Sequence, residues 1–155
     1  MSASVREINS ASSEYGRLLD VATQLDQAKY LTRDYPMAKS QCILGAYFQE
    51  TLVGFLLLLR QDIGADRGRP PILRARRVLE EAFVEAFGVL PECRRRGFGH
   101  ELQTAAMTIC TGWDCYQIRS RSPVLSTENY QLKIKMGYSI CPSEENDSYY
   151  FTELV

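Results

Sequence analysis

Apolar residues along this chain recur with two different periods. Ser4–Ile8 predicts a short first strand on weak alternation. From Ser12 the spacing turns helical, with Tyr15, Leu18, Leu19, Ala22 and Leu25 on one stripe and Glu14, Arg17, Asp20 and Asp26 between them. Ser12 or Ser13 can cap that helix and Glu14 suits the positive end of its dipole. It should end before Pro36, because the residue preceding a proline avoids the helical region. Residues 42–48 and 52–59 are β-type apolar runs separated by Gln49, Glu50 and Thr51, and predict a hairpin of two long strands. Residues 78–90 predict a third strong strand and 115–120 a fourth. Between them lies a helix over 100–110, with Phe98, Leu102, Ala105 and Ile109 as its buried stripe and Gly112 as its stop. Residues 126–136 predict a shorter helix capped by Ser126, stapled by Leu125 against Tyr130 and ended by Gly137. Two short strands, 138–140 and 149–152, follow, with a loop at 142–147.

The order strand, helix, three strands, helix, strand, helix, two strands describes a mixed α/β domain around one central sheet. A length of 155 residues makes 1–155 a single domain. Residues 52–59 are too few to cross a bilayer, and the polar start of the chain lacks the apolar region of a signal peptide. The expectation is a cytoplasmic protein with no membrane association. Net charge is −1, from 18 Lys+Arg against 19 Asp+Glu, which disfavours nucleic acid as a partner. Five cysteines without CxxC spacing, and the lone His100, make a metal site unexpected and free thiols the plain reading. Residues 61–77 form a breaker-rich connection carrying Arg67, Arg69, Arg74, Arg76 and Arg77. It reads either as an acceptor-facing loop that favours acidic partners or as a solvated loop.

The chemistry concentrates in residues 85–101. A strand ends at Pro91, a turn holds Arg94, Arg95 and Arg96, and Gly97 and Gly99 open a helix. The first turn of a helix presents N–H groups without internal partners at the positive end of a dipole, glycines let phosphate oxygens approach, and arginines neutralise charge. Together these suit a pyrophosphate. Gly88, inside an otherwise strong strand, predicts a bulge that would splay this strand from the next and leave main-chain amides facing the gap. The pattern is neither a dinucleotide fingerprint nor a Walker loop.

The segment 87–102 closely resembles the cofactor motif of the GNAT superfamily of N-acetyltransferases. Arg94-Arg95-Arg96-Gly97-Phe98-Gly99 matches its Arg/Gln-x-x-Gly-x-Gly/Ala signature, after a strand end Val89-Leu90-Pro91-Glu92. Residues 129–138 resemble the family's last helix. The resemblance implies a central, mostly antiparallel, twisted sheet of six to seven strands flanked by helices, with the cofactor in a cleft between the two central strands. It implies acetyl-CoA or another acyl-CoA as donor and a small-molecule or peptide amine as acceptor, and it allows a homodimer. Backbone amides of Arg95 to Gly99 would hold the pyrophosphate. Main-chain groups of Phe87 and Val89, on either side of Gly88, would pair with pantetheine, and the Val89 N–H would polarise the thioester carbonyl. His100 reads as a phosphate contact or an exposed helix-start residue, and Ser126 and Asn129 as further cofactor contacts.

Members of the family usually transfer the acyl group directly to an amine, which needs a base or a water chain. Read with period two, Glu81, Phe83, Glu85, Phe87 and Val89 share one strand face and Ala82, Val84 and Ala86 the other. Glu85, four residues before Val89, is the preferred base and Glu81 the second. The family's tyrosine acid, four residues before the helix-ending glycine, is replaced by Lys133. Lys133 could stabilise the thiolate, donate a proton, contact the cofactor phosphate, or lie on the surface. Tyr130, one turn earlier, is the other candidate acid, and the third option is that no dedicated acid exists. Cys93 and Cys115 have no visible His/Asp partner, and Trp113 reads as core or interface. The alternative to an enzyme is a non-catalytic acyl-CoA-binding or regulatory module on the same fold.

Overall fold

A computed structural model describes residues 4–123, 125–145 and 147–155 of the chain. In order, the first elements are β1 (Ser4–Ile8), α1 (Tyr15–Gln24), α2 (Ala28–Thr32), β2 (Ser40–Phe48), β3 (Thr51–Asp62), β4 (Leu73–Arg74) and β5 (Arg77–Val78). They are followed by β6 (Glu80–Val89), α3 (Phe98–Gly112), β7 (Gln117–Pro123), α4 (Thr127–Lys135), β8 (Ser139–Pro142) and β9 (Ser148–Leu154). Seven strands form one sheet in the order β1-β2-β3-β6-β7-β9-β8. Every pairing in it is antiparallel except β6 with β7.

The apolar run of β3 is continuous because both of its faces are covered. Leu52, Phe55, Leu57 and Leu59 pack with Leu18, Val21 and Ala22 of α1. Val53, Leu56 and Leu58 pack with Phe98, Leu102, Ala106 and Cys110 of α3. The buried stripe of α3 therefore repeats every fourth residue, and the expected Ala105 and Ile109 only flank it. The helix is stopped by Asp114, whose φ of 58° is left-handed and whose N–H returns to the Thr111 carbonyl, and not by Gly112. Asp26, at φ 58°, likewise ends the first helix early and separates α1 from α2. The expected staple at α4 does not form, since Leu125 is 89% exposed.

Two features of β6 place the site. It pairs with β7 only from Glu81–Val84 to Gln117–Ser120, and beyond that point the parallel strands part into a fork. Its register against β3 slips at the same point: Leu57 faces Ala86 and Leu58 faces Val84, so Glu85 is an extra residue. The bulge thus sits at Glu85, whereas Gly88 is paired in register with Phe55. An extra residue exchanges the two faces of a strand. Phe83 lies opposite Leu59 and Glu81 opposite Gln61 on the α1 side, but Phe87 and Val89 pack on the α3 side. The single face expected for Glu81, Phe83, Glu85, Phe87 and Val89 does not exist.

Candidate active site

The fork exposes main chain. The N–H of Leu90 donates to the carbonyl of Val53 at 2.8 Å, which makes that pair a hydrogen-bonded rung of the β3–β6 ladder. Rungs alternate in an antiparallel pair, so the main-chain groups of Phe87 and Val89 point away from β3, into the fork. Side chains confirm this direction. Arg94 Nε donates to the Val89 carbonyl at 3.0 Å. Gln27 takes both groups of Phe87: its Oε1 accepts from the Phe87 N–H at 3.1 Å and its Nε2 donates to the Phe87 carbonyl at 3.0 Å. Among the described residues the Val89 N–H has no partner.

The fork opens onto the start of α3. Arg95 and Gly97 adopt left-handed φ values of 63° and 89°, which turn successive N–H groups the same way. Among the described residues the amides of Arg95 through His100 have no acceptor. Phe98 anchors this turn in the core, edge-on to Phe48 with centroids 6.0 Å apart, while His100 is exposed. The three arginines diverge. Arg94 reaches Val89, Arg95 lies 3.4 Å from Glu128, and Arg96 stands 5.7 Å above the Phe48 ring.

Helix α4 lines the far arm of the fork. Asn129 Nδ2 donates to Ser122 Oγ, and the Tyr130 hydroxyl donates to the Ser122 carbonyl at 3.1 Å. Burial, then the nearby Tyr149, raises the Tyr130 pKa. Ser126 precedes the helix without a side-chain cap bond. Lys133 is fully enclosed, which rules out a surface lysine. Its Nζ donates to Ser120 Oγ at 2.9 Å and to Gln103 Oε1 at 3.2 Å, and sits 4.3 Å above the Tyr138 ring. Burial pulls its pKa down to about 7 against the opposing pull of Glu153.

A lysine whose folded pKa lies below its unfolded value of 10.5 binds fewer protons folded than unfolded between about pH 7 and 10.5. Stability must therefore rise with pH across that window, and the cost of the buried charge is fully present below it. Lys133→Met carries no such charge. Its melting temperature relative to the wild type should be most favourable near pH 6 and fall steadily toward pH 10. A pH-independent difference would show that Lys133 is not titrating inside the fold.

The two carboxylates differ sharply. Glu81 is fully buried and accepts from Gln61, the Gly64 N–H, Gln117 and both Nε and an Nη of Arg119, all at 2.7–3.0 Å. Burial alone would raise its pKa, but Arg119 and these donors hold it below the usual value. A carboxylate so occupied has no lone pair left for a substrate proton, so Glu81 is a structural anchor. Glu85 is half-buried at the bulge, 3.7 Å from Arg33. Burial raises its pKa, with Arg33 opposing and Asp66 adding to the rise. That is the direction a base needs near neutral pH.

The arginine-rich loop divides. Arg67 and Arg69 bridge to Glu144 and Glu145 of the β8–β9 connection, with Arg67 Nε also donating to the Tyr150 hydroxyl at 3.1 Å. Arg74 and Arg77 instead line a hollow of about 410 Å³ with Asp114 and Tyr116, at the start of β7 and away from the fork. The residues that the sequence did not single out are Gln27, Arg33, Gln103, Arg119, Ser120 and Ser122. Each is polar and gains its place only through a partner on another element.

The fold is similar to that of Arabidopsis thaliana NAA60 in complex with acetyl-CoA, with TM-score 0.77 and 16% identity over 99% of each chain. It is similar to PaiA N-acetyltransferase from Thermoplasma acidophilum in complex with coenzyme A, with TM-score 0.70 and 14% identity over 100% of each chain. It is also similar to Arabidopsis thaliana Naa50 in complex with the bisubstrate analogue CoA-Ac-MVNAL, with TM-score 0.68 and 15% identity over 99% of each chain. No curated protein matches the sequence. The forked sheet and the amide-lined turn before α3 fall within residues 5–126, which match the Acetyltransferase (GNAT) family, and the chain belongs to that family.

Proposed function

We propose that this protein transfers an acetyl or other acyl group from acyl-CoA directly to a primary amine. The observation that carries the reading is the fork: β6 sends the Val89 N–H into a gap that no strand fills among the described residues, and the same gap runs onto amides before α3 that have no acceptor among them. NAA60 and PaiA hold acetyl-CoA and coenzyme A on the same fold, and Naa50 holds a bisubstrate analogue, which supports an amine at the end of a peptide among the acceptors.

The amides of Arg95 to Gly99 bind the pyrophosphate, with Arg94, Arg95, Arg96 and His100 at its rim. Phe87 and Val89, either side of Gly88, pair with pantetheine, and Ser126 and Asn129 flank it from α4. When bound, acyl-CoA supplies an activated thioester. The Val89 N–H polarises its carbonyl. Glu85 takes a proton from the ammonium, the amine so formed attacks that carbonyl, and the new C–N bond forms as the C–S bond breaks, the nitrogen shedding its second proton to water. Lys133, through its bond to Ser120, delivers a proton to the departing thiolate, and Tyr130 is the alternative donor. A non-catalytic acyl-CoA module is favoured by one observation, the complete enclosure of Lys133.

Saturating acetyl-CoA should raise the melting temperature, since a ligand that binds only the folded state stabilises it. Release of CoA should then follow with one class in a panel of peptides, polyamines and small amines. No shift with any acyl-CoA sinks the reading. A shift without CoA release across the panel selects the non-catalytic module.

A further inference from the structure

Gln27 occupies an unusual place. Asp26 turns the chain at φ 58°, and the Gln27 N–H returns to the Ala22 carbonyl at 2.7 Å, which fixes the residue between α1 and α2. From there its side-chain amide meets the main chain of Phe87 with both a donor and an acceptor. Gly88 permits this approach: a Cβ there would lie 2.8 Å from Leu25 Cδ1 and 3.1 Å from Gln27 Nε2. Phe87 lies three residues past the last β6–β7 pair, at Val84 and Ser120. Gln27 therefore does for Phe87 what the departed strand would have done in a ladder. Buried main-chain groups demand such a partner.

A single N–H satisfies one acceptor at a time. The function proposed above assigns the Phe87 N–H to a pantetheine amide, and this inference rests on that assignment. We propose that Gln27 is a stand-in for the ligand: its side-chain amide holds the Phe87 main chain in the free protein and is exchanged for the pantetheine amide when acyl-CoA binds. The two amides offer the same pair of groups, one carbonyl oxygen and one N–H. Acyl-CoA binding is accordingly a replacement of one set of hydrogen bonds by another, and the affinity is set below what the fork would give if Phe87 were unpartnered.

Two variants test this with acetyl-CoA as the probe. Gln27→Leu keeps most of the side-chain volume but leaves the Phe87 N–H and carbonyl without a partner until ligand supplies one. Its Kd for acetyl-CoA, by calorimetry, should fall about tenfold, the scale of leaving a buried hydrogen-bonding group unmade. Gln27→Ala, which lets water reach Phe87, should tighten binding by a smaller factor of about two to three. In amide hydrogen exchange, Phe87 should be protected in the free wild type, exposed in free Gln27→Ala, and protected again in both with acetyl-CoA. A Gln27 that merely pins the α1–α2 connection predicts weaker binding when removed. Unchanged or weakened affinity in both folded variants overturns the inference while leaving the proposed function standing. Failure of acetyl-CoA to bind the wild type overturns both.

Discussion

Replacing Gly97 with aspartate is expected to raise the Kd for acetyl-CoA by about three orders of magnitude and to abolish the thermal shift. Gly97 caps α3 at φ 89°, in the middle of the amides that have no acceptor among the described residues. A Cβ built there meets nothing within 4 Å among the described residues, so sterics alone do not forbid a side chain. The backbone does object, because a left-handed residue other than glycine costs roughly 1–2 kcal/mol. Gly97→Asn carries the same strain and nearly the same shape without the charge. Any loss of binding beyond that of Gly97→Asn is therefore electrostatic. Two like charges about 4 Å apart at an effective dielectric near 20 repel by about 4 kcal/mol, roughly a thousandfold in Kd. Calorimetric titration of both variants checks this. Equal affinities for Gly97→Asp and Gly97→Asn would place the pyrophosphate elsewhere.

The element order was legible because the strong runs are local: β2, β3, β6 and α3 each announce themselves within about a dozen residues. The amide-lined turn was legible for the same reason, since Gly97 and Gly99 act on their own backbone. What escaped the sequence is decided between elements. The bulge at Glu85 is a register difference between β6 and β3, and the stretch of β3 opposite it, Leu56 to Leu59, is uniformly apolar, so no residue type marks the slip. Gly88 drew attention as the local oddity, but its role is to admit Leu25 and Gln27. Helix α4 shows the same limit in reverse. Lys133 is buried while the adjacent Ile134 is 58% exposed, an inversion set by Gln103 on α3 and Ser120 on β7. The partners of Arg67 and Arg69 lie more than 70 residues away, at Glu144 and Glu145, which no reading of the loop alone could supply.

Glu85→Gln is expected to lower kcat by about 10²- to 10⁴-fold, the usual range for loss of a general base. The bulge sets the carboxylate at the mouth of the fork, where burial lifts its pKa above 4.5 and Arg33 holds that rise in check. As a base it works when deprotonated, so wild-type kcat should fall on the acid side through a pKa above 4.5. The glutamine variant should lack that limb. Its deficit should shrink as pH rises, because the amine then sheds its proton to water. Arg33→Ala removes the opposing positive charge, so the acid limb should move to higher pH, modestly because Arg33 is 51% exposed. If Lys133 is the acid, an alkaline limb near its pKa of about 7 should accompany these, vanish in Lys133→Ala, and move up in Lys133→Tyr with part of kcat restored. Glu81→Gln separates structure from chemistry. It leaves the buried Arg119 with Asp66 as its remaining carboxylate partner, so its cost should fall below that of a buried charge left wholly uncompensated, about 3–5 kcal/mol. Its folded fraction should still show the wild-type acid limb. An acid limb that survives in Glu85→Gln and disappears in Glu81→Gln would reverse the two roles. Retention of kcat within about threefold in Glu85→Gln at neutral pH would mean that water alone removes the proton, far short of the loss a positioned base predicts.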